Sequence, residues 1–411
     1  MHRTLLAGGL GTLLLAACGG GGGGSDGLGS QPAAVGTAGT GGTSGAAGAS
    51  TIGPAPASPA ASSVLTGVSR LVVAGDSLAD VGTFGFKFTV QDAANPGGFP
   101  VLPELVAAGF GLSGSCSYYM DNGAGGTVPR GDASCTNFAV GGARIFRGDG
   151  PKRITAQLSD AGAAIGSFGR GDLVLVDGGG NDASELAAAY VAGVTSRTGL
   201  LAFLAFLGRE VSVRDLLSTV RGADSLARSA FLYMEDAADT LADAITVHAL
   251  DRGATRVAVL NIPDVTRTPR FAAAFEKLVQ QEGADEAAAI QAAVRQVVGA
   301  FNARLQSRLG NDPRVVLVDV RAAVDEQIAR AAEFGLSDVI HAACPVTGLS
   351  SVGLPEWSLQ TCTSALLDAS PGAAPGWWAS WAFSDGFHPT PAGHRQLAET
   401  VTRRLAAAGS P

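Results

Sequence analysis

Residues 71–80 read Leu71-Val72-Val73-Ala74-Gly75-Asp76-Ser77-Leu78-Ala79-Asp80. An unbroken apolar run, without the alternation of a half-solvated strand, describes a short strand buried on both faces. It stops at Gly75, so the following turn brings Ser77 to the strand's carboxyl end. Similar runs recur at Leu173-Val174-Leu175-Val176, Val257-Ala258-Val259-Leu260 and Val315-Val316-Leu317-Val318. Between them lie Ala-rich segments with helical spacing, Leu226 to Leu250 and Glu286 to Leu309. A last one, Ala392 to Ala408, follows Pro391 near a helix start. Strands alternating with helices predict an α/β fold, a mostly parallel sheet with helices on both faces and right-handed crossovers. Ligands of such sheets bind beyond the carboxyl ends of the strands.

The chain has 411 residues with 28 basic against 36 acidic side chains, a net charge of −8. No Lys/Arg run stands out, which argues against nucleic acid as a partner. Residues 1–18 read as a targeting segment. Arg3 is followed by an uncharged apolar stretch, Leu5 to Ala17, too short for a membrane span of about 20 residues. Leu15-Ala16-Ala17-Cys18 resembles the bacterial lipoprotein lipobox, in which the Cys is lipidated. That resemblance implies export and a lipid anchor at Cys18, with Gly19 favouring the outer membrane, on its periplasmic or cell-surface face. The alternative is an ordinary cleaved signal peptide. Residues 19–66 are Gly, Ala, Ser, Thr and Pro-rich and cannot bury enough apolar surface to offset their ordering entropy, so they read as a flexible tether. The folded domain is expected over 67–411, with a helical insertion near 184–225.

Cys18 apart, four cysteines remain: Cys116, Cys135, Cys344 and Cys362. They allow three pairings. Cys116–Cys135 and Cys344–Cys362 are favoured, because each closes a short Gly- and Ser-rich loop. No CxxC pair or neighbouring His pattern supports zinc, and no metal is expected.

Four elements carry chemistry. Gly75-Asp76-Ser77-Leu78 places a hydroxyl at the strand end, and a helix starting there would aim free N–H groups at it. Taken alone, Ser77 reads equally well as a helix cap. Asn137-Phe138-Ala139-Val140-Gly141-Gly142-Ala143 lets backbone approach a ligand closely, or forms a plain turn. Gly178-Gly179-Gly180-Asn181-Asp182 offers the Asn181 amide as a donor, or a helix cap. In Asp385-Gly386-Phe387-His388 a carboxylate three residues before a His can accept from Nδ1–H and leave Nε2 free as a base.

Together and in this order the elements resemble the blocks of the SGNH, or GDSL, hydrolase superfamily, and most closely its lipase and esterase branch. The resemblance spans about Val68 to Ala408. It implies a flavodoxin-like three-layer α/β/α sandwich, no metal or organic cofactor, and a serine ester hydrolase. Position by position it implies Ser77 as nucleophile, His388 as general base and Asp385 as its partner. The Ser77 N–H, the Gly142 N–H and the Asn181 side chain would form the oxyanion hole. Asp76 and Asp182 are expected to hold their turns by side-chain to backbone hydrogen bonds. Carboxylic esters of short or medium acyl chains are the default substrate, with phospholipids and lysophospholipids next. Acyl transfer to an alcohol and a non-catalytic surface binding protein are the alternatives.

The remaining candidates have plainer readings. His248 and His341 read as structural, and His394 as a residue near His388 with a possible secondary role. Gly109-Phe110-Gly111-Leu112-Ser113-Gly114 spells a dinucleotide fingerprint but follows a helical segment, Leu102 to Ala108, and so reads as a helix stop. Leu200 to Val220 is either a lid or membrane-facing helix, or a helix packed in the core. Trp377, Trp378 and Trp381 either wall an acyl pocket or pack a loop under the second disulfide.

Overall fold

The computed structural model describes residues 67–95, 97–212 and 225–409. The leader, Cys18, the segment 19–66 and positions 213–220 of the expected lid lie outside the described residues. The first half contains β1 (Arg70–Ala74), α1 (Leu102–Gly109), β2 (Tyr119–Asp121), β3 (Thr127–Pro129), α2 (Ile154–Ile165), β4 (Asp172–Val176), α3 (Gly180–Thr195) and α4 (Arg197–Leu207). Next come α5 (Ser225–His248), β5 (Val257–Leu260), α6 (Pro269–Glu282), α7 (Ala284–Leu309), β6 (Val315–Val318) and α8 (Val320–Ala329). The last part holds β7 (Asp338–Ala342), β8 (Gly348–Leu349), β9 (Pro355–Glu356), α9 (Ser364–Asp368), β10 (Trp381–Phe383) and α10 (Pro391–Ala407).

The central sheet is parallel, in the order β1-β4-β5-β6. Its strands are the four apolar runs. Because side chains alternate and both faces are covered, each run divides between two cores. Val72, Ala74, Val174, Val176, Val257 and Val259 face a core with Leu158 of α2, Leu186 of α3, Tyr233 of α5 and Phe301 of α7. Leu71, Val73, Leu173, Leu175, Ala258 and Leu260 face the other, with Leu102 and Val106 of α1 and Leu397 and Val401 of α10. The result is the three-layer α/β/α sandwich. Each fully buried Leu or Val contributes about 1.5–3 kcal/mol.

The sheet extends further than the apolar runs indicated. Val73 donates its N–H to the Thr136 carbonyl (3.0 Å), while Phe138 and Val140 donate theirs to Val73 (2.7 Å) and Gly75 (3.1 Å). The stretch 136–140 therefore runs along the free edge of β1. Two successive sheet segments flank β1 on opposite sides, which makes its carboxyl end the topological switch point where such sheets bind ligands.

Both disulfides join the local pairs, Cys116–Cys135 and Cys344–Cys362. The second sits in a small aromatic cluster with Val90, Leu359, Leu367 and Trp378, against which Phe88, Trp377 and Trp381 pack. The three tryptophans are thus loop packing around that bridge. Helix α4 buries Phe203, Phe206 and Leu207 but leaves Leu201 and Leu204 exposed, so its inner face is core and its outer face is apolar and open. Gly109 ends α1, as a helix stop should. Among the described residues no helix is long and apolar enough to cross a membrane.

One expectation is corrected. No helix begins at Ser77. The Ala79 and Asp80 N–H groups both donate to the Asp76 carbonyl, which closes a single turn. Asp80 then caps the Gly82 and Thr83 N–H groups (2.9 and 2.8 Å) and bends the chain away. Gly82 at φ 124° accommodates the bend.

Candidate active site

The turn after β1 and the loop before α10 meet above the sheet. Ser77 Oγ lies 2.8 Å from His388 Nε2, although 311 residues separate them. His388 Nδ1 lies 2.8 Å from Asp385 Oδ2, while Asp385 Oδ1 accepts the Phe387 and His388 N–H groups at 2.8 and 2.7 Å. The carboxylate is therefore held by its own loop and cannot swing away from the imidazole. Ser77 and Asp385 are buried, and the His388 side chain is 19% exposed. Burial alone would raise the Asp385 carboxyl pKa, but the His388 imidazole and three hydrogen bonds outweigh it and hold it below the ordinary value. Burial likewise lowers His388, and the Asp385 carboxylate, helped by Asp76, raises it above an ordinary histidine.

The oxyanion candidates converge on the same place. Gly142 has φ 76°, a backbone that L side chains rarely adopt. Among the described residues the Ser77 and Gly142 N–H groups have no hydrogen-bond partner. Asn181 opens α3, and its Nδ2 donates to the Ala143 carbonyl at 2.9 Å and, more loosely, to Asp76 Oδ2 at 3.3 Å. Both partners are acceptors, so the amide nitrogen rather than its oxygen faces this side. The long bond to Asp76 is the one that can be shared with an incoming anion.

Side chains fasten the blocks together. Asp80 Oδ2 accepts the Gly141 N–H at 2.8 Å, and Asn137 donates to the Ala79 carbonyl at 2.8 Å. Asp76 Oδ1 accepts the Leu78 N–H, as expected of a turn-holding residue. Asp182 acts at longer range. Its carboxyl accepts the Ile145 and Phe146 N–H groups rather than closing its own turn. Burial pushes its pKa up to about 6 against those bonds.

Three neighbours carry no local signal in the sequence. The Phe88 ring lies 5.1 Å from the His388 ring, centre to centre. Gln157 accepts the Gly75 N–H at 2.7 Å from α2. Asp177, at the end of β4, accepts the Asp76 N–H at 3.2 Å. His394 is fully buried, accepting the Leu102 N–H at Nδ1 and bonding the Phe88 carbonyl through Nε2. Burial pushes it down to about 3, so it is neutral. The structure does not bring the other described histidines to the site. His248 ends α5, and His341 is an exposed residue paired with Asp338 at 2.8 Å. Among the described residues no group of His, Cys, Asp and Glu could hold a metal ion.

A Ser-His-Asp line beside free N–H groups at a sheet's switch point is an arrangement suited to acyl chemistry. A search of curated proteins finds no matching relative. The family described as GDSL-like Lipase/Acylhydrolase, by contrast, matches residues 71–401, from the first strand through the last helix. The chain therefore belongs to the GDSL-like lipase/acylhydrolase family of hydrolases.

Proposed function

We propose that the protein is an exported serine ester hydrolase that works through Ser77, His388 and Asp385. The observation that carries this reading is the 2.8 Å approach of His388 Nε2 to Ser77 Oγ, with Asp385 on the other ring nitrogen. His388 takes the hydroxyl proton as Ser77 attacks the ester carbonyl. The Ser77 and Gly142 N–H groups and the Asn181 amide stabilise the oxyanion. His388 returns the proton to the leaving alcohol, and a water, deprotonated by the same imidazole, releases the acid from the acyl-enzyme. Cys18 anchors the enzyme to the outer membrane through the 19–66 tether.

Carboxylic esters of short or medium chain length are the first substrate class. Leu201 and Leu204, exposed on α4, favour lysophospholipids or phospholipids as the second. Hydrolysis of p-nitrophenyl esters from acetate to palmitate by the purified protein tests both. Ser77→Ala is expected to lower kcat by roughly 10³-fold or more, as in other serine hydrolases. Turnover in that variant equal to wild type would overturn the assignment, and an optimum at palmitate would favour the lipid class.

A further inference from the structure

Directly beneath the nucleophile turn lie two buried carboxyl groups in contact. Asp76 is 7% exposed and Asp177 is 4% exposed, and neither forms a salt bridge among the described residues. Asp177 Oδ1 accepts the Asp76 N–H at 3.2 Å, and each carboxyl acts on the other's ionisation as a hydrogen-bond partner. Asp177 also lies against the turn's first residue, since a Cβ on Gly75 would lie 1.5 Å from Asp177 Oδ1. Two carboxylates cannot hydrogen-bond without a proton between them, so the pair holds one proton and one negative charge.

The location of that proton follows from the partners. Asp76 already accepts from the Leu78 N–H at 3.1 Å and from Asn181 Nδ2 at 3.3 Å. Burial raises the Asp76 carboxyl too, but these bonds and the neighbouring His388 and Arg144 work against it. Asp177 has burial and the Asp76 charge against its ionisation, and both raise its pKa well above the ordinary carboxyl value. Asp177 is therefore the acid and Asp76 the carboxylate.

We propose that Asp177 is a positioning residue whose proton ties down the Asp76 carboxylate, so that Asp76 in turn aims the Asn181 amide. Without that donor Asp76 loses one fixed bond and its backbone N–H loses its acceptor. The Asn181 amide then keeps the Ala143 carbonyl but has its second acceptor, Asp76 Oδ2, loosened, and its nitrogen is aimed less tightly. This inference rests on the serine-hydrolase reading and deepens it.

The test is a double-mutant cycle on p-nitrophenyl butyrate, with Ser77→Ala as the control for the reaction itself. Asp177→Asn keeps a donor toward Asp76 and an acceptor for its N–H, so kcat is expected within about threefold of wild type. Asp177→Ala is expected to lower kcat by roughly 10- to 100-fold with little change in KM, short of the 10²–10³ of a deleted oxyanion donor. In an Asn181→Ala background the same change is expected to cost less than about threefold, because its target is gone. Asp177→Val, which restores volume without a donor, replaces the alanine variant if that one does not fold. A loss of 30-fold or more in Asp177→Asn at an unaltered melting temperature would overturn the proposal. So would an Asp177→Ala loss equally large with and without Asn181. If Ser77→Ala stays active, the hydrolase reading fails, which is distinct from an additive cycle on an enzyme that Ser77→Ala silences.

Discussion

Replacing Asp385 with Asn changes one atom pair and tests the geometry around His388. In the wild type Asp385 Oδ1 accepts two backbone N–H groups, while Oδ2 faces His388 Nδ1 at 2.8 Å. An asparagine must put its carbonyl oxygen toward the two N–H groups, which leaves its NH₂ pointing at Nδ1. The imidazole then accepts at Nδ1 and carries its proton on Nε2, where it cannot take one from Ser77. The productive flip would set the NH₂ against two N–H donors. Each donor left without its acceptor costs about 1–3 kcal/mol, or about 2–6 kcal/mol for both. The working orientation is then present in roughly 1 molecule in 30 to 1 in 10⁴. The upper end matches the loss of about 10⁴-fold known for the equivalent change in a serine protease. The assay is kcat on p-nitrophenyl butyrate, with the His388 tautomer read by ¹⁵N NMR. Activity within threefold of wild type, or a ring still protonated at Nδ1, would refute the reasoning.

Three further outcomes follow from the same geometry. His388 must be neutral to act as base and its pKa lies above the ordinary 6.5, so kcat/KM should rise with pH through a midpoint above 6.5. In Asp385→Asn that midpoint should move down, as a pH–rate profile from 4 to 9 will show. A methyl at Gly141 would lie 2.1 Å from Phe88 Cζ. Gly141→Ala should therefore destabilise by about 1–3 kcal/mol and lower kcat by shifting the ring that lies on His388, measured by thermal melts and initial rates. His394 titrates at about 3 when folded against about 6.5 unfolded. The stability of its neutral form is complete above pH 6.5 and is lost as pH falls toward 3, at up to about 1.4 kcal/mol per pH unit. Urea unfolding at pH 7.5 and pH 5 should show that slope reduced in His394→Gln.

Much of the scaffold was legible because its signals are local. The apolar runs from Leu71 to Ala74 and from Leu173 to Val176 became strands with one flanking residue added to each. The segment Glu286 to Leu309 became a helix starting at Ala284. Ser77, Asn181, Asp385 and His388 were legible for a different reason, since their short motifs recur together in one family. The parts that escaped depend on partners far apart in the chain. Asp177 reads as the end of a strand until Asp76, 101 residues earlier, is folded against it. The edge segment 136–140 makes few ladder bonds and has glycines at its end, so composition suggests a turn. Helix α6, not anticipated, does carry a local signal: Pro269 at its start and Phe271, Phe275 and Leu278 at helical spacing along its buried face. The helix expected at Ser77 failed because the Asp80 carboxylate competes for the N–H groups that would have continued it.

The 311-residue gap between Ser77 and His388 has a consequence in time. Synthesis delivers Ser77 first and His388 last, with β4, β5 and β6 of the central sheet between them. Until the segment carrying Asp385 and His388 docks, Ser77 is an ordinary hydroxyl with no proton acceptor. On the proposed mechanism, chains still being made or cut before residue 385 are therefore catalytically silent. Activity by that mechanism thus reports on completed folding of the entire domain.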